Sequence, residues 1–253
     1  MFFKRISVLI CPILISLVLE LLFYNINLIY IVLSVGLFLL LFFLKILIKE
    51  KFFSRTFFYL ALLPVLLFYA NVGLLLMLSS SLLKHVFVVF FALLLILYLE
   101  NIFIFFYRPY NYQPYALENL SAFFNLLIFF FLIINLNAFN VFLNLPVWLL
   151  SIILILVTSL ILSQSFWINK IRLNIKFAYL LIINIIILEF FWALAFLPTN
   201  FYVNAIILTI ALYLIWGLLK AKLNEQLSKK IILRYVFIST ILLFIVIITA
   251  SWP

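Results

Sequence analysis

Six glutamates are the only acidic side chains in this chain of 253 residues, which has no aspartate. Three of them, Glu20, Glu100 and Glu189, lie inside long apolar runs, each after a leucine and each followed within four residues by an aromatic. A charged side chain deep in hydrocarbon costs on the order of 2.5–3.5 kcal/mol on insertion scales, so such a carboxylate needs a partner, a proton or a task. Glu100 precedes Arg108 by eight residues, about two helical turns, so the two project from similar sides of one helix. After a wet stretch with two X-Pro-Tyr turns, Glu118, Ser121, Ala122 and Asn125 recur at i, i+3, i+4 and i+7, a polar stripe on the next helix. Two antiparallel helices would bring Glu100, Asn101, Arg108, Glu118, Asn119, Ser121 and Asn125 to one region. With Glu189, expected to lie deeper in a later run, these are the candidate binding residues. The chemistry they offer is capture of a lipid headgroup, an ion or a small polar solute. The competing reading is structural: Arg108 neutralises Glu100 or Glu118, and Tyr107, Tyr110, Tyr112 and Tyr115 form an interfacial aromatic belt.

Other chemistries lack their residues. With one cysteine, Cys11, and one histidine, His85, a zinc site of three or four His and Cys ligands is out of reach, as is a disulfide within the chain. The missing aspartate excludes the aspartate clusters that hold magnesium-diphosphate. Cys11, before Pro12 in an apolar run, reads as a buried structural thiol. His85, beside Lys84 near a span end, reads as interfacial rather than as a catalytic base. No catalytic residue, metal or cofactor is assigned.

The elements that must position these residues follow from composition. At 71% hydrophobic and 9% charged residues, no water-soluble fold could cover its own surface. A span needs about 20 apolar residues. On that ruler nine are expected: 6–24, 27–47, 56–78, 85–107, 118–137, 142–163, 174–196, 201–219 and 234–252. The expected fold is an all-α polytopic transmembrane helical bundle, one integral membrane domain over 1–253. Alternating spans with a cytoplasmic N-terminus put fifteen of the sixteen Lys and Arg residues inside, leaving Lys84 outside, which is the positive-inside pattern. The C-terminus, Ser251-Trp252-Pro253, is then expected outside. Anionic lipid at the inner leaflet accounts for the net charge of +10, and no nucleic-acid partner is required.

Several local features refine the picture. Pro64 interrupts the third span and removes a hydrogen bond that neighbouring helices must make good. The hydroxyl run Thr158-Ser159-x-x-x-Ser163-Gln164-Ser165 reads as a close-packing face. Residues 220–234 read either as a short helix on the inner leaflet or as a solvated basic turn. Leu-Glu in spans one, four and seven hints at three helix triplets, the middle one inverted.

The pattern Tyr107-Arg108-Pro109-x-x-Tyr112-Gln113-Pro114-Tyr115-x-Leu117-Glu118-Asn119, with Leu197-Pro198-Thr199-x-Phe201-Tyr202-Val203-Asn204, resembles uncharacterised multi-pass membrane proteins of reduced-genome bacteria. That resemblance covers about a tenth of the chain and implies no function. The expected location is the bacterial cytoplasmic (inner) membrane. The expected function is handling of a small solute or lipid, as a transporter, flippase or permease-type subunit with its polar pocket near the cytoplasmic face of spans four and five. Membrane lipids are the expected partners, with other membrane subunits or a separate ATPase alongside, because no nucleotide-binding loop is present. The alternatives are a non-catalytic scaffold of an envelope complex and a metal-free membrane enzyme acting on lipid or polyprenyl substrates.

Overall fold

The computed structural model describes residues 2–52, 54–171, 173–197 and 199–250, with the side chains of 2 and 173–176 left aside. Arg172, Pro198, the Lys176 side chain and the expected outer terminus 251–253 fall outside the described residues. The described chain forms α1 (Phe2–Tyr24), α2 (Ile29–Leu47), α3 (Arg55–Met77), α4 (Ser81–Tyr107), α5 (Ala116–Leu143), α6 (Val147–Ile168), α7 (Leu173–Ala195), α8 (Phe201–Leu223) and α9 (Lys229–Thr249). Among the described residues, nine helices are long and apolar enough to cross a membrane. The protein is therefore a multi-pass helical membrane protein.

The ends of the helices differ from the sequence reading in informative places. Ser80 stands in extended backbone as the N-cap of α4, so the helix begins at Ser81, a turn earlier than expected. Residues 224–228 form a turn rather than a surface helix. There Glu225 adopts a φ of 57°, and the Gln226 N–H reaches back to the Ala221 carbonyl at 2.9 Å, which closes α8. The same device closes α6: Lys170 has a φ of 55° and the Ile171 N–H bonds the Phe166 carbonyl at 3.1 Å. The Ser228 side chain accepts the Ile231 N–H and starts α9 at Lys229 instead of 234.

Contacts divide the chain into two compact units, Met1–Phe124 and Asn125–Pro253, with the division inside α5. In the first unit α1 packs on α2 and α4, and α3 packs on both of the latter. Cys11, Ile15 and Leu19 of α1 are fully buried, as are Leu95, Tyr98, Leu99 and Ile102 of α4. The two helices run antiparallel and are tied at both ends. Lys4 Nζ donates to the Tyr107 hydroxyl at 2.8 Å, and Glu20 Oε1 lies 2.9 Å from His85 Nδ1. At Gly36, α2 approaches α3 so closely that a Cβ would enter the Phe68 ring, which is itself fully buried.

Pro64 sits inside α3 and has no N–H for the carbonyl of Leu60, four residues back. The buried Tyr98 hydroxyl of α4 donates to that carbonyl at 2.7 Å. The freed acceptor is thus satisfied by the neighbouring helix.

In the second unit α6, α7, α8 and α9 pack in succession. The serines of α6 accept hydrogen bonds from flanking helices. Trp192 Nε1 donates to Ser151 Oγ at 2.8 Å, Asn184 Nδ2 to Ser159 Oγ at 2.9 Å, and Asn125 Nδ2 to Ser165 Oγ at 2.7 Å. α9 is largely exposed, and docks where the Tyr235 ring covers Gly217 of α8.

Replacing Tyr98 by Phe leaves the Leu60 carbonyl buried without a donor, and should lower stability in detergent by about 1–2 kcal/mol. In the Pro64→Leu background, where the helix regains its own N–H, the same substitution should cost measurably less. A double-mutant cycle of unfolding free energies checks this.

Candidate functional site

The wet stretch after α4 is built by backbone that leaves the helix abruptly. Arg108 has φ −138° and ψ 59°, Pro109–Asn111 form a single 3-10 turn, and Tyr115 takes a φ of 64° before α5 begins. Tyr107, the last residue of α4, becomes the centre of a cationic cluster. The Lys4 and Lys49 ammonium groups stand 4.5 and 4.7 Å from the centre of its ring. Its hydroxyl accepts from Lys4 and points at the Ile46 carbonyl, 3.5 Å away. Phe103 stacks on Tyr107 with 5.4 Å between ring centres, and the Arg108 guanidinium carbon lies 5.9 Å over Phe103.

Three cations thus surround two stacked rings. Among the described residues no carboxylate forms an ion pair with any of them. Cation–π attraction contributes about 0.5–2 kcal/mol between exposed and desolvated sites and does not cancel the charge.

In the same connection the Tyr112 hydroxyl accepts the Leu117 N–H at 3.1 Å and donates to Glu118 Oε2 at 3.4 Å. It therefore caps the start of α5. Its pKa is raised, first by partial burial and then by the charge and hydrogen bond of Glu118, against a lowering by the Leu117 N–H. The phenol stays protonated at neutral pH, with its proton directed at Glu118.

The nominated residues separate into those this end of the first unit gathers and those it does not. Arg108 is exposed and held over Phe103, with no ion pair to Glu100 or Glu118. Arg108 leaves the helix as its C-cap and turns to Phe103, so no ion pair with Glu100, about two turns back, forms. Glu100 is half-buried, with no hydrogen bond or ion pair among the described residues. Asn101 turns its amide back to the Leu97 carbonyl of its own helix at 2.8 Å. Glu118 is half-buried against Tyr112, and Asn119 is exposed. Ser121 is fully buried with its hydroxyl unpaired.

Asn125 and Glu189 belong to the second unit. Asn125 is buried and donates to Gln164 Oε1 at 2.9 Å as well as to Ser165, while its own Oδ1 and the Gln164 Nε2 remain unpaired. Glu189, expected to lie deeper in its span than Glu20, stands inside α7 on its exposed surface. Lys4, Lys49 and Gln164 were missed as members of polar clusters. The first two lie 103 and 58 residues from Tyr107, with no local pattern to connect them.

A second constellation lies at the other end of α1 and α4. Glu20 Oε1 meets His85 Nδ1 at 2.9 Å, and His85 Nε2 faces Ser81 Oγ at 3.5 Å. Phe23 sets its ring edge-on to the imidazole, 5.1 Å between centres at 88°, and Lys84 covers Phe23 at 5.7 Å.

In a comparison with known families, a family described as "Protein of unknown function (DUF5656)" matches residues 47–249. The chain belongs to that family. The DUF5656 match includes Lys49, Ser81, His85, Tyr107 and Arg108, whereas Lys4 and Glu20 precede it. No curated protein and no solved structure matches the chain.

Replacing Asn125 by Leu removes the donor shared by Gln164 and Ser165 and strands both inside the second unit. It should lower stability by about 0.6–2 kcal/mol, measured as a shift in the unfolding transition in mixed micelles. Asn119→Leu, at an exposed position, should leave that transition within about 0.5 kcal/mol.

Proposed function

We propose that this DUF5656 protein handles an anionic lipid, as a flippase- or permease-type membrane component, and that the Tyr107 end of its first unit recognises the headgroup at the cytoplasmic leaflet of a bacterial inner membrane. The observation that carries this reading is the convergence of Lys4, Lys49 and Arg108 on the Phe103–Tyr107 pair without a carboxylate partner. Like charges held together at a membrane surface repel one another unless an anion joins them, and a phosphate-bearing headgroup supplies one at the right depth. The orientation follows the positive-inside reading: at this end the first unit also carries Lys45, Lys51 and Arg55, whereas the His85 end carries Lys84.

Native mass spectrometry of the purified protein with equimolar phosphatidylglycerol and phosphatidylcholine tests the reading. The wild type should retain phosphatidylglycerol preferentially. At about 1 kcal/mol per basic group, Lys49→Ala with Arg108→Ala should cut that preference roughly tenfold or more, while Lys229→Ala with Lys230→Ala leaves it standing. Equal retention of the two lipids by the wild type, or an unchanged preference in the Lys49/Arg108 variant, would defeat the proposal.

A further inference from the structure

We infer that Ser81, His85 and Glu20 form an acyl-transfer site that cleaves a carboxylic ester at the membrane surface opposite the Tyr107 cluster. The geometry is that of a nucleophile, a base and an orienting carboxylate in series. Glu20 Oε1 accepts from Nδ1 of His85 at 2.9 Å, which fixes the proton on that nitrogen. The other ring nitrogen, Nε2, is then the acceptor that faces Ser81 Oγ at 3.5 Å, a separation of the kind that tightens when substrate binds. Ser81 and His85 are four residues apart on α4 and so share one face. The T-shaped contact with Phe23 holds the imidazole plane.

Two further features suit ester chemistry. Ser81 is the first residue of α4, and Ser80 makes no side-chain cap to that turn. The Lys84 N–H bonds the Ser80 carbonyl at 3.2 Å, which leaves the earlier N–H groups of the first turn, at the end that carries the nucleophile, as donors for a developing oxyanion. The second feature is depth. From Lys4 to Glu20 the rise along α1 is about 24 Å, and from His85 to Tyr107 along α4 about 33 Å, which bracket the roughly 30 Å hydrocarbon thickness. The Ser81 site therefore stands at an interface, the level at which the ester carbonyls of a membrane lipid lie. His85 and Glu20 are 52% and 32% exposed, so a substrate in the membrane plane can reach them without a deep cleft.

In the reaction, Ser81 Oγ bonds to the carbonyl carbon as its proton passes to His85 Nε2. The tetrahedral intermediate collapses, the ester C–O bond breaks, and His85 returns the proton to the departing alcohol. Water, deprotonated by His85, then attacks the acyl-serine; the acyl C–Oγ bond breaks as His85 returns the proton to Ser81 Oγ, and a carboxylic acid leaves. Overall, ester and water become acid and alcohol. Ser81 and His85 are the catalytic residues and Glu20 is a positioning residue.

The test uses the full chain in nanodiscs with a fluorophosphonate probe, which phosphonylates an activated serine with loss of fluoride, and with p-nitrophenyl butyrate as substrate. Peptide mass spectrometry should find the label on Ser81 at least tenfold above Ser79 or Ser80. Ser81→Ala should abolish labelling and Ser80→Ala preserve it. His85→Gln should slow labelling by about 100-fold. Glu20→Gln should lower kcat for the butyrate ester roughly tenfold with KM unchanged, and Glu20→Asp should restore part of the loss. Absence of label on Ser81 in the wild type, or equal labelling rates in wild type and His85→Gln, would overturn the inference. Neither outcome bears on the phosphatidylglycerol preference, which rests on the other end of the unit.

Discussion

The first unit depends on α1 being fastened to α4 at both of its ends and on hydrocarbon packing alone in between. The two fastenings, Lys4 with Tyr107 and Glu20 with His85, lie about a bilayer's thickness apart. Between them the hydroxyls of Ser7 and Ser16 bond carbonyls of their own helix, so they add nothing across the interface. Apolar packing in lipid has little directional preference, because the surrounding tails are as apolar as leucine. The polar ends therefore set the register. A slip by one residue would translate α1 by about 1.5 Å and rotate it by about 100°, breaking both fastenings together.

The two ends are electrostatically unlike. At the Tyr107 end, cations rest on aromatic faces and keep their charge, which leaves a field directed at the membrane surface. At the His85 end a base and an acid meet, and the local field is spent on orienting one imidazole. The second unit uses its polar groups differently. Its serines and amides join helices inside the bundle, where an unmet donor has no water to fall back on. Gln164 and Asn125 keep one free polar atom each in that setting.

The nine spans were legible because apolar length is a local property and 71% of the chain is hydrophobic. Helix ends were less so. The Ser79-Ser80-Ser81 run reads as a loop, yet Ser80 is an N-cap, and the extra turn is what places Ser81 four residues before His85 on one helix. Lys229 and Lys230 fall outside an apolar run that begins at 234, yet the Ser228 cap starts the helix at Lys229 and takes both into its first turn. The compensation for Pro64 was foreseen in kind, while its donor, Tyr98, was not, since 38 residues separate it from Leu60. The nominated polar cluster rested on continuing α4 through Arg108. Once the backbone unwinds there, Arg108 swings onto Phe103, and Glu100 is left about two turns away.

The separation of α1 from its partner along the chain bears on how the protein is made. Tyr107 follows Lys4 by 103 residues, so α1 leaves the ribosome well before α4 exists. At about 5–20 residues per second the wait is on the order of ten seconds. Through that interval the lysine and the glutamate lack their α4 partners, and α1 has α2 alone of its two packing neighbours. Delivery of α4 then closes the ring of contacts, so synthesis that stalled before α4 emerged would leave three helices without their fourth wall.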